Sequence, residues 1–328
     1  MNTNRRRWMQ LAALGSPGVL IGGCWQRSHD VTDGDTGASP SEALPVVATT
    51  GMIADMVRSI GGDAVQLTQL IPAGVDPHLY KPIRDDVVAI VHSKIVFYNG
   101  LKLEGRMSDV LGAGSKSQRV HVALSDALDP SSLIGESSSQ AVDPHIWMDV
   151  SMWSKTIGSI RDTLGGVLVH HRERLDRAAG ELIEQLEALD RYGKEAIGRI
   201  PKPQRILISS HDAFQYFGRR YGLRVEGVQG ISTASEAGLQ RIPELIELIR
   251  ENSVPAVFKE SSVAGKMIDA VIEGAASRRI ELHVGKELYS DALGPVGSGA
   301  ETYIGMMKHN FDAVAEALSA GRSTRSGM

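Results

Sequence analysis

The chain has 328 residues with 42% hydrophobic and 23% charged side chains, which excludes a wholly disordered protein and favours two compact units. The formal net charge is −4 and the sequence has no long run of basic residues, so we do not expect the protein to bind nucleic acid. One cysteine against ten histidines excludes an internal disulfide framework and leaves imidazole and carboxylate as the available metal ligands.

The N-terminus has the layout of an export signal. The run Arg5-Arg6-Arg7-Trp8-Met9 is similar to the twin-arginine pattern, and it precedes an apolar stretch that is shorter than the about 20 residues of a membrane-spanning helix. Residues 21–24, Ile-Gly-Gly-Cys, resemble a bacterial lipobox, in which the cysteine is acylated. We therefore predict a signal peptide over 1–23, a lipidated Cys24, and a disordered tether that completes the segment 24–44. General secretory export and an unmodified thiol remain the alternatives.

From residue 45 onward, short β-rich runs alternate with amphipathic stretches, which is typical of parallel sheets covered by helices. In the first half the pattern predicts strands at 46–49, 65–71, 95–98 and 120–124, with helices at 52–60 and 85–92.

Two helical stretches occupy the middle of the chain. The first, 151–164, is expected to end at Gly165-Gly166. The second runs from His171 to Arg199 and repeats apolar residues at steps of three and four. Its length of about 43 Å at 1.5 Å per residue suits a strut between two lobes.

The second half repeats the alternation, with strands predicted at 205–209, 225–228, 256–259 and 280–284 and helices at 213–221, 239–251, 263–275 and 301–320. We therefore predict an N-terminal α/β lobe (45–165), a linking helix (166–200), a C-terminal α/β lobe (201–322) and a tail (323–328). Each lobe is expected to have its own core.

Four titratable residues fall in or beside the loops that follow predicted strands, namely His78, His145, His211 and Asp291. Ligands of parallel α/β sheets collect beyond the carboxyl ends of the strands. Each half supplies two of the four, so all four are able to meet at a cleft. Three imidazoles and one carboxylate form a plausible shell for zinc or manganese.

The acidic neighbours of these histidines are expected to orient them. The tripeptide Asp-Pro-His occurs twice, so Asp76 precedes His78 and Asp143 precedes His145 by the same spacing. An adjacent carboxylate is able to hold an imidazole in position. Glu260 is a further candidate for such a supporting role.

Several motifs together resemble the TroA-like zinc/manganese solute-binding proteins of bacterial ABC importers, also called cluster A-I periplasmic binding proteins. The resemblance covers about residues 45–320, and its markers are Asp76-Pro77-His78-Leu79-Tyr80, residues 143–149 (DPHIWMD), residues 211–217 (HDAFQYF), Gly230-Ile231-Ser232-Thr233, Glu260-Ser261-Ser262 and residues 289–294 (YSDALG).

This resemblance implies a fold and a function. The fold is two lobes, each a four-stranded parallel sheet flanked by helices, joined by one long rigid helix with the metal site in the inter-lobe cleft. His78, His145, His211 and Asp291 would ligate one transported ion. The protein would act as a lipid-anchored, extracytoplasmic monomer that delivers the ion to a permease and its ATPase subunit.

The choice between zinc and manganese stays open at this level. Manganese-devoted members often carry glutamate where this chain has His211, whereas many zinc-devoted members have a histidine-rich loop where residues 129–142 contain no histidine. The chain thus matches the subgroup with three histidines and one aspartate, which is associated with both ions.

Two other functions are alternatives to transport. An envelope-displayed adhesin or interaction lipoprotein would carry the metal site incidentally. A metallohydrolase would need an open coordination position and a base, for which Asp76, Asp143 or Glu260 would have to serve. We expect transport and no enzymatic activity, because four protein ligands leave little room for a substrate.

Overall fold

The computed structural model describes residues 43–107, 110–111, 119–135, 142–234 and 240–319. The predicted signal peptide, Cys24 and the tail 323–328 lie outside these residues, as does the predicted tether up to residue 42. Leu44 already begins the first strand, so the tether prediction extends one residue too far. Among the described helices, none is long and apolar enough to cross a bilayer.

The first half is built on a four-stranded parallel sheet. Its strands pair in the order β2-β1-β3-β4, with β1 Leu44–Ala48, β2 Val65–Gln69, β3 Ile95–Tyr98 and β4 Val120–Ala123. Helices α1 (Gly51–Gly61) and α2 (Arg84–His92) connect these strands. The central strand β1 is apolar along its length because it is covered on both faces. All four predicted strands are present within two residues of their predicted bounds.

Two consecutive helices cross the middle of the molecule, α3 (Val150–Val167) and α4 (Arg172–Gly198). The prediction that Gly165-Gly166 would interrupt α3 is wrong, since the helix continues through both glycines. Glycine costs only about 1 kcal/mol in a helix. A Cβ at Gly165 would lie 2.9 Å from Cδ of Arg172, so this glycine lets the start of α4 pack closely on α3.

The predicted linking helix is present as α4, whose 27 residues span about 40 Å. Its buried stripe follows the predicted three- and four-residue spacing and consists of Leu175, Ala179, Leu182, Leu186, Leu189, Gly193 and Ala196. A Cβ at Gly193 would lie 2.4 Å from the ring of Phe311. The stripe therefore packs closely against the last helix of the chain.

The second half carries two parallel strand pairs that lie side by side. The pairs are β5–β6 (Ile206–His211 and Arg224–Gln229) and β7–β8 (Ala256–Val257 and His283–Val284). The amide of Phe258 donates to the carbonyl of Ile208 at 2.9 Å and joins the two pairs, so the four strands lie side by side as two bonded pairs. The helices are α5 Gln215–Tyr221, α6 Arg241–Asn252, α7 Lys266–Ser277 and α8 Tyr303–Ser319.

The largest hydrophobic cluster is shared by both halves and adds to the smaller core that each lobe was expected to have. It contains Trp153 of α3, Leu186 of α4, Phe217 of α5 and Phe311 of α8. Smaller clusters lie within each half. All described residues fall in one compact unit, because helices α3, α4 and α8 fill the space between the sheets.

Candidate metal centre

The four predicted ligands come from four different segments. His78 lies in the irregular segment between β2 and α2, and His145 directly precedes a short 3-10 turn that leads into α3. His211 is the last residue of β5, two residues beyond the predicted end of that strand. Asp291 follows β8 by seven residues.

Irregular strand pairing beyond β7 and β8 brings Glu260 and Asp291 close to His211. Backbone hydrogen bonds continue past the short regular strands, from Leu288 N to Lys259 O at 2.9 Å and from Ser261 N to Leu288 O at 3.0 Å. Glu260 therefore lies beside the end of β5, and Asp291 lies just past the last bonded residue. The sheet thus positions two acidic residues next to His211, one from the segment after β7 and one from the segment after β8.

The ring nitrogens and the carboxylate converge on one point. His145 Nε2 lies 3.2 Å from His78 Nε2 and 3.4 Å from His211 Nε2. The carboxylate of Asp291 places Oδ1 3.4 Å from His145 Nε2 and Oδ2 3.2 Å from His211 Nε2. Oδ2 is 3.9 Å from His78 Nε2. One potential ligand atom from each residue lies within 4.8 Å of the others.

These separations match a coordination shell. Zinc–nitrogen bonds of about 2.0–2.1 Å in a tetrahedron separate the ligand atoms by about 3.3 Å. Within the described residues, no group outside the cluster donates a hydrogen bond to either carboxylate oxygen of Asp291, although the residue is 1% exposed. A buried carboxylate that faces three imidazoles and has no other donor is well suited to bind a metal cation.

Burial and mutual charge shift the pKa of every group in the cluster. Burial lowers the pKa of His78 to about 3. Burial opposes protonation of His145 as well, yet the carboxylates of Asp143 and Asp291 raise its pKa to about 9. Glu260 and Asp291 likewise outweigh burial and raise the pKa of His211 well above its usual value.

The pKa of Asp291 is held well below its usual value, because His211 and His145 outweigh the effect of burial. The cluster thus contains a permanent anion at neutral pH. A bound cation would replace the protons that otherwise balance this charge.

Two of the three histidines are held by buried carboxylates, those of Asp143 and Glu260. Asp143 Oδ1 accepts from the backbone N of His145 at 2.9 Å and lies 2.7 Å from its Nδ1. Glu260 Oε1 accepts from the backbone N of His211 at 2.8 Å, and its Oε2 lies 2.6 Å from Nδ1 of that ring. Each ring is thereby fixed with Nε2 directed into the cluster.

Asp76 supports His78 in a different way. Its Oδ1 accepts from the backbone N of His78 at 2.8 Å, and its Oδ2 accepts from the hydroxyl of Thr233 at 2.5 Å. Burial raises the pKa of this carboxyl despite the hydrogen bond from Thr233. Asp76 therefore positions the backbone of His78 and not its ring.

Sequence reasoning missed three side chains that join the two halves around the cluster. Trp147 Nε1 donates to the carbonyl of Ser290 at 2.8 Å, and the hydroxyl of Tyr216 donates to the carbonyl of Asp143 at 2.9 Å. Thr233 is the third. All three lie within the motifs quoted above, but no local pattern indicates their partners.

Two α/β halves bridged by a long helix, with a buried cluster of three imidazoles and one carboxylate between them, define a metal-capturing binding protein. Residues 46–317 match the model of the family described as zinc-uptake complex component A, periplasmic, and the chain belongs to this family. Its members are substrate-binding proteins of ABC metal importers and not enzymes. The predicted family, fold class and metal-capture function are thereby confirmed.

Individual relatives bind different metals, according to their names. The manganese-binding lipoprotein MntA of Bacillus subtilis is 39% identical over 282 residues, which are 86% of this chain and 92% of that protein. The zinc-binding protein TroA of Treponema pallidum is 37% identical over 280 residues, which are 85% of this chain and 90% of that protein. The solved structure of the latter, a periplasmic zinc-binding protein, has a TM-score of 0.82 at 36% identity and covers 85% of this chain and 100% of that one.

Proposed function

We propose that the protein captures one zinc or manganese ion outside the cytoplasmic membrane and delivers it to an ABC permease driven by its ATPase subunit. His78, His145, His211 and Asp291 are the proposed ligands. The observation that carries this proposal is the convergence of four buried donor atoms within 4.8 Å, with separations that suit direct coordination.

The donor set supports either metal. Three imidazoles favour zinc by softness, whereas manganese binds better as oxygen ligands increase. Both oxygens of Asp291 face ring nitrogens, so the carboxylate is able to bind through one oxygen or two. The relatives named for manganese and for zinc resemble this chain to a similar degree.

The N-terminal features support a place on the envelope. We propose that residues 1–23 are an export signal of the twin-arginine type and that acylated Cys24 anchors the mature monomer to a membrane. Eighteen residues lie between Cys24 and the first described residue at position 43, which is enough chain to let the metal-binding part stand clear of the lipid. Replacing Cys24 with Ser should release the protein from the membrane fraction.

The residues considered as hydrolytic bases are already engaged. Asp143 and Glu260 each bond the backbone and the ring of a proposed ligand. Asp76 bonds His78 and Thr233. These contacts favour binding over catalysis, in agreement with the family.

The proposal is tested by calorimetric titration of the Cys24→Ser protein with zinc and, separately, with manganese. One tight equivalent of at least one ion is expected. His145→Ala should weaken binding by more than the about 10–100-fold typical of a supporting residue. His283→Ala is the matched control, because His283 is exposed on β8. Absence of a tight equivalent, or near-normal affinity of His145→Ala, would contradict the proposal.

A further inference from the structure

His78 is attached to the protein less firmly than the other three proposed ligands. His145 and His211 each have a carboxylate against Nδ1, but within the described residues Nδ1 of His78 makes no hydrogen bond. His78 is also the most exposed of the four residues, at 6% against 1% or less. Its orientation therefore depends on the backbone that carries it.

That backbone is the His78 loop, residues 72–83, which has no regular secondary structure. Its outer side meets solvent, since Leu79 is 42% and Ile83 59% exposed. Gly74, at φ 73°, has no neighbouring atom within 4 Å of where a Cβ would stand. The inner side of the loop packs against the smaller core of the first half, whereas few contacts on its outer side oppose an outward movement.

The other three proposed ligands are held together by buried hydrogen bonds between the two halves. Asp291 and His211 belong to the second half, and His145 is tied to that half by buried bonds on both sides. Trp147 Nε1 donates to Ser290 O at 2.8 Å, next to Asp291. The hydroxyl of Tyr216 donates to the carbonyl of Asp143 at 2.9 Å and accepts from the amide of Ile134 at 3.0 Å.

The His78 loop, by contrast, has one hydrogen bond to the second half among the described residues, besides the ligand cluster itself. Thr233, in the segment after β6, donates its hydroxyl to Asp76 Oδ2 at 2.5 Å, while Oδ1 of the same carboxylate holds the amide of His78. Thr233 and Asp76 are 157 residues apart in sequence. The carboxylate thus links the position of His78 to a hydroxyl on the opposite half.

We propose that the hydrogen bond between Thr233 and Asp76 is a latch that keeps His78 over the metal, so that the ion enters and leaves on the side of the His78 loop. His145, His211 and Asp291 stay together while the loop opens. Thr233 acts as a positioning residue through Asp76. The inference rests on the proposed function, because it takes His78 as a ligand.

The test is the rate of zinc release. Zinc-loaded Cys24→Ser protein is mixed with excess chelator in a stopped-flow instrument, and the same is done for Thr233→Val and Thr233→Ser in that background. Valine keeps the shape and removes the hydroxyl, so release should be about 10- to 100-fold faster, the range for one hydrogen bond to a charged group. Zinc association should be no slower than in the wild type. Serine restores the hydroxyl and should restore slow release.

Control measurements separate this inference from other effects. Thr68→Val, on the exposed face of β2, makes the same chemical change away from the loop and should release zinc at the wild-type rate. Circular dichroism of the metal-free proteins verifies folding, and Thr233→Ala replaces the valine variant if that one is unstable.

The outcomes are distinct. A wild-type protein that binds no zinc or manganese refutes the proposed function. Tight binding by the wild type together with a Thr233→Val release rate within twofold of it overturns the latch alone, as does a serine variant that releases zinc as fast as the valine variant.

Discussion

The role of Asp143 yields a quantitative prediction for Asp143→Asn. The carboxylate accepts from both the backbone N and Nδ1 of His145 through Oδ1, at 2.9 and 2.7 Å, and the residue is fully buried. Asparagine keeps the shape and one acceptor oxygen but removes the charge. A hydrogen bond to a charged acceptor is worth about 1–2 kcal/mol more than one to a neutral acceptor.

Zinc affinity should therefore fall about 5- to 30-fold in Asp143→Asn, at about 1.4 kcal/mol per tenfold change. Asp143→Ala removes both acceptor contacts and should lower the affinity by about 100-fold, near the upper end for residues that support a metal ligand. Zinc affinity should therefore decrease in the order wild type, asparagine variant, alanine variant, because asparagine weakens the contacts to His145 and alanine removes them.

Competition titration against a chelator of known zinc affinity, at fixed pH, measures these ratios. Asp129→Asn is the matched control, since Asp129 is exposed and its hydrogen-bond partners among the described residues are Ser131 and Ser132 of its own turn. An Asp143→Asn affinity within twofold of the wild type would refute the reasoning that this carboxylate orients a ligand.

Three further predictions concern pH, stability and selectivity. Because the pKa values of His145 and His211 are raised without a metal, protons compete with the ion, so titrations at several pH values should show affinity falling continuously as the pH drops from about 9. Asp190 is held by two hydrogen bonds from Arg220, and these partners outweigh burial and lower its pKa. The stabilising effect of the Asp190 carboxylate is present above the unfolded pKa of about 3.9 and is lost as the pH falls through the lower folded value. Urea unfolding should therefore show that Asp190→Asn has a lower free energy of unfolding than the wild type at pH 7, and that this difference shrinks in acid. A difference that stays constant with pH would contradict the reasoning. His211→Glu should lower the zinc-to-manganese affinity ratio in competition titrations, because a carboxylate replaces a nitrogen donor, and an unchanged ratio would argue that His211 is not a ligand.

Local patterns predicted the helices and strands well where apolar residues form a continuous run or a regular stripe. Strand β3 has the predicted bounds, and α4 follows the predicted apolar stripe. The errors occurred where tertiary packing overrides local preference. Helix α3 runs through Gly165-Gly166, and at Gly165 the close approach of Arg172 requires a residue without a side chain.

Strands β7 and β8 are two residues each, shorter than predicted. Their pairing becomes irregular beyond these residues yet continues to Leu288. Sequence patterns do not reveal this irregularity, because it depends on the neighbouring strand.

The sequence by itself determined which residues make up the candidate site. The two Asp-Pro-His motifs and the His211 and Asp291 motifs are short and local, and parallel α/β topology places all of them at the same edges. The sequence could also name Asp143 as a support, because Asp143 lies two residues from the histidine that it orients.

Only the tertiary structure decided which groups act together across the molecule. Glu260 meets His211 at a separation of 49 residues, Trp147 meets Ser290 at 143, and Thr233 meets Asp76 at 157. Periodicity encodes which face of an element is buried, but it carries no information on which distant loop the face will meet. These contacts exist because the shared core of α3, α4 and α8 brings the two halves together, and that packing depends on the whole chain.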